Sequence, residues 1–131
     1  NFLCYGGRQF NANLTKKKNS NVIGRFLFMK KLVRDKIPDI LADNAEFEVL
    51  SNEDYRLSLR HKIVEEAKEV QNAQSRANLV EELGDLEEVI RAILTDASIN
   101  YEEMDSLRQA KINQKGNFSQ KFVMINNNEE S

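Results

Sequence analysis

Two stretches of about twenty residues, 53–73 and 76–97, place apolar side chains at spacings of three and four, and only a few residues separate them. That period is the helical one. A break so short leaves the second helix nowhere to go but back along the first, so an antiparallel helical hairpin constrains everything else. In the first stretch Leu59, Ile63, Ala67 and Val70 define the apolar stripe, and in the second Leu79, Leu83, Leu86, Ile90 and Ile93 do so. The punctuation agrees. Ser51 and Asn52 supply capping residues ahead of a helix from about Glu53 to about Ala73, and Ser75 caps one running to about Ala97. Asn100, with Glu103 three residues on, has the form of a capping box for a third long helix ending near Lys115, where Gly116 is a good terminator. Upstream, Pro38 is placed as the first residue of a short helix.

Two further segments alternate instead. "AEFEVL" (45–50), with Phe47 and Val49, and "NFSQKFVMI" (117–125) are strand candidates that could pair through residues 46–50. The fold class expected is mainly α: an antiparallel helical bundle with a small two-stranded β accessory.

The charge distribution sets the domain boundary. The chain has 131 residues and a net charge of −2, but residues 1–28 contain no Asp or Glu and carry +5 through Arg8, Lys16, Lys17, Lys18 and Arg25. The part from Met29 onward therefore carries −7. Residues 1–28 read as a basic leader, flexible or appended ahead of a start at Met29. A basic arm and a transit peptide compete with that reading, although Ser is scarce and no amphipathic face is evident. Residues 29–131 read as one domain. The single cysteine, Cys4, cannot form an intramolecular disulfide, which suits a reducing cytoplasm. No apolar run approaches the roughly 18 residues of a membrane span. The near-neutral balance gives no general affinity for nucleic acid. His61, the one histidine, reads as a solvated side chain in "RHK".

Against this ordinary background the acids stand out. Glu66 lies three residues after Ile63 and four before Val70, at the edge of the first stripe, and Glu69 follows one turn on. Glu82 and Asp85 line up with Val89 and Ala92 at the edge of the second. A short turn makes the two acidic pairs face each other. Unneutralised carboxylates at a helix seam cost several kcal/mol each, and a hard divalent cation with oxygen ligands removes that cost. From periodicity alone, a Mg²⁺ cage and a pair of solvated acidic faces both stay open. Di-iron chemistry is disfavoured, because that pattern needs two Glu-x-x-His motifs and the chain has one histidine.

"EEAKE" (65–69), followed after 12 residues by "ELGD" (82–85), resembles the E-E-x-x-E…E-x-x-D signature of the all-α nucleoside triphosphate pyrophosphatases, the MazG-like superfamily. "KLVRDKIP" (31–38) and "K-x-x-x-KGNF" (111–118) are similar to its phosphoribosyl-ATP pyrophosphohydrolase-like branch, so the resemblance spans about Lys30 to Ile125. It implies a Mg²⁺-dependent enzyme, with Mn²⁺ as the alternative ion, that converts a nucleoside triphosphate and water to the monophosphate and pyrophosphate. By motif position it implies Glu66, Glu69, Glu82 and Asp85 as metal ligands and Glu65 as a residue that supports them or orients water. Lys31, Arg34, Lys36, Lys111 and Lys115 are the candidate phosphate contacts. The family has Arg-Gly-Gly-Phe where this chain has Lys115–Phe118, and lysine lacks arginine's bidentate fork. The resemblance also implies a homodimer or homotetramer.

The substrates expected are standard or modified nucleoside triphosphates, in a house-cleaning role. Phosphoribosyl-ATP is the alternative substrate, and a non-catalytic helical module that binds nucleotide or a partner protein is the alternative of a different class.

Overall fold

The computed structural model describes residues 30–128. The expected leader, residues 1–28, and Met29 lie outside them. The chain divides between Lys31 and Leu32, and every described helix belongs to the unit that begins at Leu32. Its elements are α1 (Ile37–Leu41), continued by a 3-10 turn (Ala42–Asn44), then α2 (Asn52–Asn72), α3 (Arg76–Asp96) and α4 (Tyr101–Lys115).

The caps act where the side chains predict. Ser51 Oγ accepts from the Asp54 N–H at 3.1 Å and starts α2, and Ser75 Oγ accepts from the Asn78 N–H at 3.1 Å and starts α3. Asn100 caps α4 with one difference. Its side chain accepts from Glu102, while the Glu103 N–H donates to the Asn100 backbone carbonyl, each at 3.1 Å. Pro38 is the second residue of α1 rather than the first. Gly116 ends α4 at φ 81° and ψ −179°, a conformation open essentially to glycine alone.

The end of α3 is closed by a pair of reversed hydrogen bonds, from Ser98 N–H to Thr95 C=O at 3.1 Å and from Ile99 N–H to Leu94 C=O at 2.9 Å. This arrangement calls for a left-handed residue, and here it is Ser98, at φ 55°. Glycine would carry no Cβ penalty there. Ser98→Gly is expected to stabilise the protein by about 0.5–1 kcal/mol. Thermal melts of the two proteins check this, and an unchanged or lower midpoint would refute it.

The connection between α2 and α3 is three residues long, Ala73 to Ser75, and the two helices pack along their length. Among the described residues no other helix pair has contact on that scale, and α4 lies along neither partner. The face by which α2 and α3 meet differs from the expected one. On α2 the buried residues are Ser58, Leu59 and Glu66, while Ala67 is exposed. On α3 they are Glu82, Val89 and Leu94, while Leu79 and Leu83 are 39% and 47% exposed. Each helix is thus turned about its axis toward its acids. Glu66 and Glu82 occupy the seam itself; of the leucines in the expected stripe Leu59 is buried, while Leu79 and Leu83 face outward.

The β accessory is not seen. Among the described residues there is no strand: 46–51 and 121–128 are irregular, and Phe118 and Phe122 are almost fully exposed. Alternation supplies one face of a strand but not the neighbour that pairs with it, and a two-stranded ribbon is marginal by itself. No helix among the described residues is long and apolar enough to cross a membrane.

Candidate metal centre

Glu66 on α2 and Glu82 and Asp85 on α3 bring one carboxylate oxygen each to within 4.8 Å of one another. Glu66 is 2% exposed and Glu82 7%, so two of the three acids lie in the interior of the hairpin. Spacing explains how they arrive there. Glu82 and Asp85 are three residues apart and share a face of α3, and the short turn sets that face against the middle of α2.

Each acid of the group has a defined neighbour. Lys62, one turn before Glu66 on α2, brings its Nζ to 3.0 Å from Glu66 Oε1 and 3.3 Å from Glu65 Oε1. Asn78, one turn before Glu82 on α3, donates from Nδ2 to Glu82 Oε1 at 2.8 Å. Arg34, from the segment before α1, reaches Asp85 Oδ1 with its Nη2 at 2.5 Å. The second Glu66 oxygen, Oε2, is buried and receives no hydrogen bond from the described residues.

The electrostatics show how crowded the site is. Burial pushes the Glu82 carboxyl above its ordinary value, and the negative charges of Glu69, Asp85 and Glu66 push in the same direction. Only the Asn78 hydrogen bond opposes them. Glu69 is therefore close enough to act on Glu82 through space, although its oxygens fall outside the converging group of three.

Of the acids expected at the site, Glu66, Glu82 and Asp85 come together, Glu69 stands beside them, and Glu65 shares Lys62 with Glu66. The basic residues divide. Arg34 is at the cluster. Lys36 is exposed, with its backbone carbonyl holding the Ile40 N–H of α1. Lys111 and Lys115 are exposed on α4, a helix that does not lie along the hairpin carrying the acids and meets it at Tyr101, under Arg91 of α3. Lys31 falls beyond the chain division. Sequence reasoning passed over Lys62 and Asn78. The signal was present, since each stands four residues before a seam glutamate, but it becomes informative only once those glutamates are known to be buried.

All three converging ligands are oxygens, which suits a hard cation such as Mg²⁺ or Mn²⁺ rather than a soft or imidazole-seeking metal. Opposite ligands of an octahedral Mg²⁺ stand about 4.2 Å apart. The 4.8 Å span is therefore within one small side-chain adjustment of enclosing such an ion. An open groove lies elsewhere, on α2, lined by Ile63, Val64, Ala67, Lys68 and Gln71, and none of the acids lines it. The chain matches no protein-family model, no curated protein and no solved structure.

Proposed function

We propose that the protein is a Mg²⁺-dependent nucleoside triphosphate pyrophosphohydrolase, releasing the monophosphate and pyrophosphate from standard or modified nucleotides. The observation that carries this reading is the burial of Glu66 and Glu82 in the seam between α2 and α3, with Asp85 beside them, where apolar side chains would pack at less cost. Holding carboxylates there opposes folding unless a cation repays the cost. The E-E-x-x-E…E-x-x-D spacing and "KLVRDKIP" support the reading through their resemblance to the all-α nucleoside triphosphate pyrophosphatases, which implies that the cation handles a triphosphate.

In this reading Glu66, Glu82 and Asp85 hold Mg²⁺, or Mn²⁺, and Glu69 completes the acidic wall. When bound, the ion supplies charge neutralisation for the phosphates and lowers the pKa of a coordinated water. Glu65 anchors Lys62, and Lys62 pairs with Glu66. Arg34 is the phosphate contact nearest the acids: its guanidinium is 62% exposed and tethered at one end to Asp85, so it can fork onto an incoming phosphate. Lys31, Lys36, Lys111 and Lys115 stay in the proposal as candidate phosphate contacts.

One observation favours a second reading. Lys62, Asn78 and Arg34 already engage the three acids, so the cluster could be a purely structural charge network in a non-catalytic helical module. Incubation with a panel of nucleoside triphosphates and phosphoribosyl-ATP, in Mg²⁺ and then in EDTA, separates the two. Mg²⁺-dependent pyrophosphate release supports the hydrolase, and its fastest substrate tells the house-cleaning role from the phosphoribosyl-ATP one. Orthophosphate release would place the cut at the wrong bond. No turnover would leave the structural network.

The proposal includes a homodimer or homotetramer. Among the described residues the buried apolar ones are Leu59, Val89 and Leu94, a small core for a stretch of this length. Leu79, Val80 and Leu83 lie exposed and adjacent on α3. A second copy covering them would complete a helical bundle around the hairpin. Leu83→Glu is expected to convert the oligomer to monomer in light scattering at micromolar concentration. A wild-type protein already monomeric there would refute the assembly.

A further inference from the structure

Glu66 and Glu82 each have a partner one turn toward the start of their own helix, but the two partners are unlike. Lys62 is a flexible cation divided between Glu66 and Glu65. Asn78 is short and neutral, and both ends of its carboxamide are used. Nδ2 donates to Glu82 Oε1 at 2.8 Å, and Oδ1 accepts from the Gln74 N–H at 3.4 Å, while its own backbone N–H is held by Ser75. Rotation of the amide would break both side-chain bonds at once, so the two partners fix which end is donor and which acceptor.

The place matters as much as the bonds. Asn78 is the third residue of α3, where a capping box normally has Glu or Gln reaching back to the turn. Glu there would set another carboxylate one turn from Glu82. Asn serves the turn with its oxygen and turns a neutral donor toward the acid. A neutral donor orients a carboxylate without bringing a charge that competes with a cation for it.

We propose that Asn78 is the positioning residue of the cation centre: it ties Glu82 to the α2–α3 turn through Oε1 and leaves the second carboxylate oxygen as the ligand. This rests on the reading of Glu66, Glu82 and Asp85 as a divalent-cation site. It adds that the rigid turn, and not only the helix seam, sets the geometry of that site. Asn78 itself touches neither ion nor substrate and acts through Glu82.

The test is the affinity of the full chain for Mn²⁺ alone, followed by loss of the free-ion paramagnetic resonance signal. Asn78→Ala is expected to weaken Mn²⁺ binding about 10- to 100-fold, the usual effect of losing the partner that orients a ligand. Ser75→Ala removes the cap of the same turn without touching Glu82. It should lower the melting temperature at least as much as Asn78→Ala does, and leave the Mn²⁺ affinity within about two-fold, well below that range. In a Glu82→Ala background, Asn78→Ala should weaken binding no further. The proposal is overturned by wild-type affinity in Asn78→Ala, by equal weakening in Ser75→Ala, or by an undiminished effect without Glu82. If the unmodified protein binds no Mn²⁺, the cation reading itself falls, and the role of Asn78 with it. That outcome is distinct from the other three.

Discussion

Glu66→Gln is expected to lower Mg²⁺-dependent pyrophosphate release by more than about a hundred-fold, beyond the 10- to 100-fold cost of losing a ligand's supporting partner, while the protein stays folded. The side chain is 2% exposed and one of its oxygens belongs to the converging group. Gln keeps the shape but loses the charge, and with it the ability to neutralise a cation. Lys62 is not stranded by the change, because Glu65 remains 3.3 Å from its Nζ. The melting temperature in EDTA should therefore move by only a few degrees. The structural-network reading predicts the opposite pattern. Breaking a buried ion pair costs about 3–5 kcal/mol, which in a domain this size lowers the midpoint by more than about 10 °C. Activity assays paired with melts in EDTA tell the two apart: lost activity with a retained melt supports the site, and a collapsed melt contradicts it.

The second large effect concerns Glu82 and pH. Its carboxyl lies above the ordinary value of 4.5 in the folded protein, through burial first and then the charges of Glu69, Asp85 and Glu66. The folded state thus holds this proton more tightly than the unfolded state does. Linkage then makes Glu82's contribution to stability greatest near and below pH 4.5, declining as pH rises through the raised folded value. At pH 7 without metal, the raised carboxyl of Glu82 opposes folding. Glu82→Gln removes that cost and can still accept from Asn78. It should melt higher than the parent at pH 7 in EDTA, by a few degrees if the relief is about 1 kcal/mol, and the difference should shrink as pH falls toward 4.5. Adding Mg²⁺ reverses the order. A cation at 100 times its dissociation constant stabilises the parent by about 2.7 kcal/mol, and the Gln variant by much less. Melts from pH 4.5 to 7.5, with EDTA and with Mg²⁺, check both signs. A Gln variant melting below the parent at pH 7 in EDTA would show that the carboxylate is stabilising as it stands.

The long helices were legible because their ends are written in single residues. Ser51, Ser75, Asn100 and Gly116 fall within a residue of the observed boundaries. The facing of those helices was less legible. Leu79 and Leu83 look like core, but Glu82 and Val89 are the residues turned into the seam. A hydrophobicity argument assigns charged residues to the border and cannot foresee a face that accepts them. The strands failed for a related reason: the alternation at 46–50 says nothing about whether residues 117–125 will come to meet it. Arg34 and Asp85 were both singled out, one as a phosphate contact and one as a ligand, yet their pairing across 51 positions was visible in neither motif. Asn78 is the least legible of all, because its importance depends on two unrelated bonds, to Gln74 and to Glu82.

Most direct of all would be a crystal of the protein grown with Mn²⁺, with data collected at the manganese absorption edge. A divalent-cation site predicts an anomalous peak between α2 and α3, bonded to oxygens of Glu66, Glu82 and Asp85, with Arg34 withdrawn from Asp85 or sharing it. No peak there, with Lys62 and Arg34 still seated on Glu66 and Asp85, would contradict it and leave the acids as a structural network.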